Sequence, residues 1–572
     1  VSGTASLGGS VTTADSLTID GTLTLTTNIT LDSTGNGAAD DITLAAISGT
    51  AGGATESLVL DAGAAGAISV SGAVTGLEDL SLTLSDGATF AAVTLNNDFT
   101  ITGATTGANI TFNGNLSLGG DFITAASNYN IAINEDITVA DQVTFTNTGL
   151  LVLGNGADDD LTFTGGLTAV TQAAGVDSIT LAGDIFTTNS NVQLGADGRD
   201  ITLTQNTKID TGAAGGIIDL DGDIAGGAKT LTLDAGTGAI TSLGDIANVT
   251  TLTITDGASA IFEGSVDVTT LTITDAATSG NVTFGNTADG DLTATTLNVT
   301  AGRAYNFSIL EDATITDAVT FANTGLLVLG DGTDDILTFN GGLVATAPSA
   351  ITLNGKIITG GTNTMTLGDT GDDATGITLA DSTTLESGGA AAININGALA
   401  GASVDDNLTI NSIGTTTING VISGIGTFIT DTDGKTVIAA NISSDGLQTY
   451  GDNVEISGDD RTITTTNDAV TFSGLVNSIT GETRGLTVAA GSGLTTFDAV
   501  VGNTDALGAI IISGSGGLDL NAAIGSGATA GATSLAVTGA TALGADVTTS
   551  GAQTYTGLVT ADVAAKRTLT GS

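Results

Sequence analysis

The side chains best placed to do chemistry in this sequence are acids, and they come in clusters: ADDD at 157–160, TDD at 333–335, AADD at 38–41 and GDD at 371–373. Carboxylates grouped on glycine-rich turns are hard oxygen donors of the kind Ca2+ takes. GDGTDDI at 330–336 matches the G-x-G-x-D-x-U core of calcium-binding nonapeptide repeats. Gly154, Asn155, Gly156 and Asp158 fit the same string, with Asp160 standing where Ile336 does. Asp158, Asp159, Asp160, Asp334 and Asp335 are therefore the candidate calcium ligands, and the competing reading of each corner is a solvated, hydrogen-bonded turn. Corners stacked about 4.8 Å apart would lie within a Debye length of about 8 Å, so their carboxylates repel unless a divalent ion sits among them.

Other chemistry is excluded by what the chain lacks. It has no Cys and no His, which removes thiolate nucleophiles, imidazole bases, zinc sites and iron–sulfur clusters. Paired carboxylates could serve as acid and base in glycoside hydrolysis. Such sites also grip a sugar with cations or aromatic platforms, and the 10 Lys and Arg are spread from Arg199 to Arg567 without a cluster. The expectation is a protein that is not an enzyme. A formal charge of -51 repels nucleic acid and anionic lipid, and no apolar run approaches the roughly 20 residues that span a bilayer. Tyr129 and Tyr305, each followed by Asn, are candidate exposed points for stacking on a surface glycan or docking laterally; the alternative is a rim residue closing a turn of the fold. Asn109, Asn298 and Asn306 each open an Asn-x-Thr/Ser triplet, a glycan acceptor if the host glycosylates.

The elements that must position these residues are short strands. SLTIDGTLTL at 16–25, LSLTLSDG at 80–87 and TLTITDG at 251–257 alternate Thr with Leu, Ile or Val, and they end at Asp-Gly or Gly corners. No segment sustains a helical period. TLTIT begins at Thr251 and again at Thr270, 19 residues on, which suggests one turn of a coiled solenoid of about 20 residues and roughly 28 turns. A longer repeat is more specific: VTFTNTGLLVLG at 143–154 returns as VTFANTGLLVLG at 319–330, 176 residues on. Tyr129, Glu135, Asp136 and Asp141 reappear at the same distance as Tyr305, Glu311, Asp312 and Asp317. The reading is one continuous all-β parallel β-solenoid over 1–572, with 80–226 duplicated as 250–401 and more divergent coils over 402–572. An array of antiparallel sandwiches would need bulkier cores than 3% aromatics supply. Phe145, Phe163, Phe321 and Phe339 fall on inward positions and are expected to fill the core.

With SGAQTYTGLVT at 550–560, DGLQTYGDNVEISG at 445–458 and five-residue strands punctuated by Gly, Thr, Asn and Asp throughout, the chain resembles the large secreted β-helical adhesins of the filamentous-haemagglutinin type. The resemblance implies a right-handed parallel β-helix exported to the cell surface, where it projects or holds something. The secretion domain of that family, with its Asn-Pro motifs, has no counterpart here, since Pro348 is the sole proline; a shaft segment is what the resemblance leaves. The start VSGTASLGGS, without Met or a basic leader, reads as a processed or excised segment. The expected function is an extracellular structural protein that forms a rod, fibre or surface coat by head-to-tail or lateral association with copies of itself. The alternative is an adhesin shaft that recognises glycan or another surface.

Overall fold

The chain is an all-β parallel β-solenoid of about 23 turns, and stacked coils recur about 23 residues apart. The structure is a computed structural model that describes residues 1–34, 40–50, 53–170, 178–196, 198–274, 280–287, 289–371, 375–526, 529–561 and 566–571. Coils are longer and fewer than the TLTIT spacing suggests because that pair marks a short coil. Thr251 does pair with Thr270, yet Ile29 pairs with Leu58, so corners absorb extra residues while strand registers hold.

Contacts divide the chain into two compact units, Val1–Gly290 and Asp291–Ser572. In the first, coils as far as Ile218–Leu220 contribute three strands each to three parallel ladders, and the longer strands Ile224–Asp234 and Ile246–Asp256 then each run through two of them. The first ladder runs through Ala5–Leu7, Leu23–Leu25 and Ile47–Ser48 to Asp160–Phe163 and beyond. The second includes Ile29–Asp32, Leu58–Asp61, Leu80–Leu82 and Phe99–Ile101, and the third Leu17–Ile19, Ile42–Leu44, Ile68–Val70 and Ala88–Phe90. The second unit repeats the plan. One of its ladders stacks Leu343–Ala345, Met365–Leu367, Ile393–Ile395 and Thr415–Ile418.

Alternation decides what lies inside. In the first ladder Leu23, Ile47, Val74, Val93, Leu116 and Ile137 stack in register and are wholly buried, each contributing roughly 1.5–3 kcal/mol of transfer free energy. No single coil could bury these residues, so the stacking that pairs the backbone also makes the core. Among the described residues there are no helices, and therefore none long and apolar enough to cross a membrane.

Candidate functional site

The two acidic corners fold alike, one in each unit. Strand Leu151–Leu153 ends at Gly154, whose φ of 76° turns the chain in a way that β-branched residues resist. The carboxylate of Asp159 then folds back over its own turn, and its Oδ2 accepts hydrogen bonds from the amides of Asn155 (2.7 Å) and Gly156 (2.8 Å). In the second unit Gly330 has φ 78°, and Asp335 Oδ2 accepts from Asp331 and Gly332 N, both at 2.7 Å. Asp159 and Asp335 are buried, whereas Asp158, Asp160 and Asp334 are exposed.

Neighbouring coils are tied into each corner. The amide of Asp160 donates to Asp136 Oδ1 at 3.0 Å, and that of Ile336 donates to Asp312 Oδ1 at 2.7 Å. Carboxylates crowd the second corner most. Burial, then the charges of Asp335 and its neighbours, raises the carboxyls of Glu311 and Asp331 above the ordinary range. Lys356, one coil on, instead pairs with Glu386 at 2.9 Å. Among the described residues no group of three or more acidic side chains is arranged to hold a metal ion. Asp372 and Asp373 of the GDD cluster lie outside the described residues, as does the start of AADD.

Acids also form columns that the sequence reading did not single out. Asp98 N donates to Asp79 Oδ1 (3.3 Å) and Asp121 N to Asp98 Oδ1 (2.8 Å), so each carboxylate caps an amide of the next coil. Burial, with Asp98 and Asp141 nearby, raises the Asp121 carboxyl. On another corner Asp245 N donates to Asp223 Oδ1 (3.0 Å) and Ser265 N to Asp245 Oδ1 (2.8 Å), beside a groove lined by Asp200, Asp221 and Gly244. The signal was present in the sequence as an acid just before a strand, recurring at coil spacing. Its partner lies some twenty residues away, where local turn rules do not look.

Tyr129 and Tyr305 are not surface points. Both are fully buried, and Tyr129 Oη accepts from Ala125 N at 3.0 Å while burial pushes its phenol up to about 12. Aromatic bulk at an inward position outweighs the hydroxyl, and that of Tyr129 finds a backbone partner inside the coil. Buried Asn147 and Asn323 donate to the carbonyls of Tyr129 and Tyr305, at 3.1 and 3.2 Å. Phe145, Phe163, Phe321 and Phe339 lie in the core, as their alternation implies.

The most unusual chemistry lies within DGLQTYGDNVEISG. Gln448, Tyr450 and Asp452 are all buried there. Tyr450 Oη donates to Gln448 Oε1 (2.7 Å), and Gln448 Nε2 donates to Ser444 Oγ and Thr464 O. Asp452 accepts from Thr430 Oγ1 (2.8 Å) and Thr436 Oγ1 (2.7 Å). Burial, reinforced by Asp431, pushes its carboxyl up to about 6 against the hydroxyls' opposing pull.

Taken together, the columns of acids serve as rungs between coils, and Gln448, Tyr450 and Asp452 find their hydrogen-bond partners within the interior. No protein-family model matches the chain, and comparison with curated proteins and with solved structures returns no match.

Proposed function

We propose that this chain is a structural segment of an extracellular or cell-surface protein, a β-solenoid that builds a rod, fibre or coat by associating with copies of itself. The observation that carries the reading is the repetition of the surface. In-register stacking puts the same kind of residue at the same place in successive coils, as with Asp79, Asp98 and Asp121 or Thr251 and Thr270. A surface that repeats suits an extended contact with a like surface, whereas a catalytic site needs unlike groups converging on one point. The stacked acids support a soluble surface in which each charge also caps a backbone amide. The style of the repeats supports kinship with filamentous-haemagglutinin-type shafts.

Calcium belongs to this reading through the exposed Asp158, Asp160 and Asp334, which remain open to an ion shared between copies. Light scattering of the purified full chain in millimolar calcium, then after chelation, tests both parts. Growth of the scattering mass with concentration is the result expected, with a fall on chelation if calcium joins the copies. A mass that stays at one chain under both conditions overturns self-association and favours a projecting adhesin shaft.

A further inference from the structure

One outward row of the second unit breaks the repetition. Ile336, Lys356, Thr384 and Thr409 stand in register on successive coils, so an alkyl group, an ammonium and two hydroxyls lie in line. Where Ile336 and Lys356 pair, the first unit pairs Asp160 with Asp184. The turns before them are alike, closed by Asp159 in one unit and Asp335 in the other. The duplicated block has kept its corner and exchanged the side chains beside it.

The row lies in a groove of about 370 Å³. Its near wall is the turn that carries Asp334, and its far wall is Asn407, which ends the corner between strands Leu399–Gly401 and Leu408–Ser412. That corner is clasped as well, since Ser403 N donates to Asp406 Oδ2 at 2.6 Å. Between the walls, strands Ala350–Thr359 and Gly376–Ser387 pass through their corners without a loop. Three coil steps of about 4.8 Å set the walls about 14 Å apart. The groove is therefore built into the backbone and exists before any ligand arrives.

Its side chains divide into those the fold uses and those it leaves open. Asn407 is used: Nδ2 donates to Ser382 Oγ at 3.0 Å, and Oδ1 accepts from Thr427 N at 2.9 Å. Lys356 pairs with Glu386, and its ammonium keeps further hydrogens to donate. Among the described residues, the carboxylate of Asp334 and the hydroxyls of Thr384 and Thr409 have no hydrogen-bond partner.

We propose that this groove binds a short neutral saccharide. A sugar ring presents hydroxyls that both donate and accept, together with a C–H face. Asp334 accepts, Lys356 donates, the two threonines do either, and Ile336, 44% exposed, meets the C–H face. Other ligand classes fit worse. Anionic ones are repelled by a chain of net charge -51. Apolar ones find a single aliphatic side chain. An extended peptide finds no open strand edge, because the strands of this row are paired on both sides. The site stands apart from self-association, since it needs no second copy.

Saturation-transfer NMR titrations of the full chain test this with lactose, cellobiose and N,N′-diacetylchitobiose, and with sialyllactose as the anionic counterpart. Ile336→Asp combined with Lys356→Asp gives the second unit the acids that the first carries after the same turn, and Thr384→Val removes one hydroxyl at nearly constant shape. Thr94→Val, exposed on the first unit, is the control. Circular dichroism and melting temperature establish that each variant is folded, and Thr384→Val alone decides if the double variant is not. At least one neutral disaccharide is expected to bind, with a Kd of about 1 mM for so open a groove. The control should leave that value unchanged, and the double variant should weaken it about tenfold or more. No binding by any of the three overturns the proposal. Binding that survives the folded groove variants overturns the site, and sialyllactose bound as tightly as lactose overturns the neutral class.

Discussion

Between Phe90 and Phe163 the first unit stacks a column of phenylalanine rings against one another, whereas between Phe428 and Ser478 the second joins its rings to hydroxyls, an amide and a carboxylate. In the first region Phe90, Phe99, Phe112, Phe122 and Phe145 contact one another through edges and faces, with Phe112 centred 5.1 Å from Phe99 and 5.4 Å from Phe90. In the second region Tyr450 stacks on Phe472 at 4.8 Å while its hydroxyl serves Gln448, and Asp452 is held by two threonines. One backbone plan accepts both fillings, because ladders of amides hold the coils in either case. What the filling changes is sensitivity: a dry ring column has nothing to titrate, and a buried carboxylate does.

The largest expected effect breaks the ring column. Phe112→Ala removes a wholly buried ring and its neighbours' contacts, and is expected to cost about 3–5 kcal/mol in denaturant unfolding, nearly independent of pH. The next sharpens the contrast. Asp452 has a folded value of about 6 against 3.8 for an ordinary aspartate, so burying it costs nothing extra below the lower value, where the group is protonated in both states. The stability tied to its protonated form is lost as pH rises through about 6, to a total of up to about 3 kcal/mol. Asp452→Asn should therefore gain up to that amount at about pH 8 and little below about pH 4, read from urea unfolding at the two pH values.

The corners should not follow the contrast. Asp159→Ala and Asp335→Ala each leave two turn amides without their acceptor and should each cost about 1–3 kcal/mol, alike in both units. Hydrogen exchange at Asn155 and Gly156, and at Asp331 and Gly332, would reveal unequal corners. Smallest is Lys208→Ala, which removes half-exposed ion pairs to Asp210 (2.7 Å) and Asp234 (3.5 Å) and should cost under about 1 kcal/mol, least at high salt.

The fold was legible because its signal is local: an inward Leu, Ile, Val or Phe at every second residue, closed by a glycine corner. The duplicated string at 143–154 and 319–330 likewise marked residues that occupy matching places, such as Phe145 and Phe321 or Asp159 and Asp335. Coil length was read too short because TLTIT repeats across one of the tighter coils. Site chemistry was harder to read, since it lies between coils. Asp98 acquires its partner from Asp121 and Asp452 from Thr430, pairings that depend on how many residues each intervening corner holds. Tyr129 reads as a surface ring because its flanking Asn128 and Asn130 are polar, yet the coil turns it inward.

Electron microscopy of the purified full chain across concentration, with millimolar calcium and after its removal, tests self-association most directly. Ordered filaments, sheets or paired particles that grow with concentration are the expected result. Isolated particles at every concentration and calcium level would contradict a structural role by self-association.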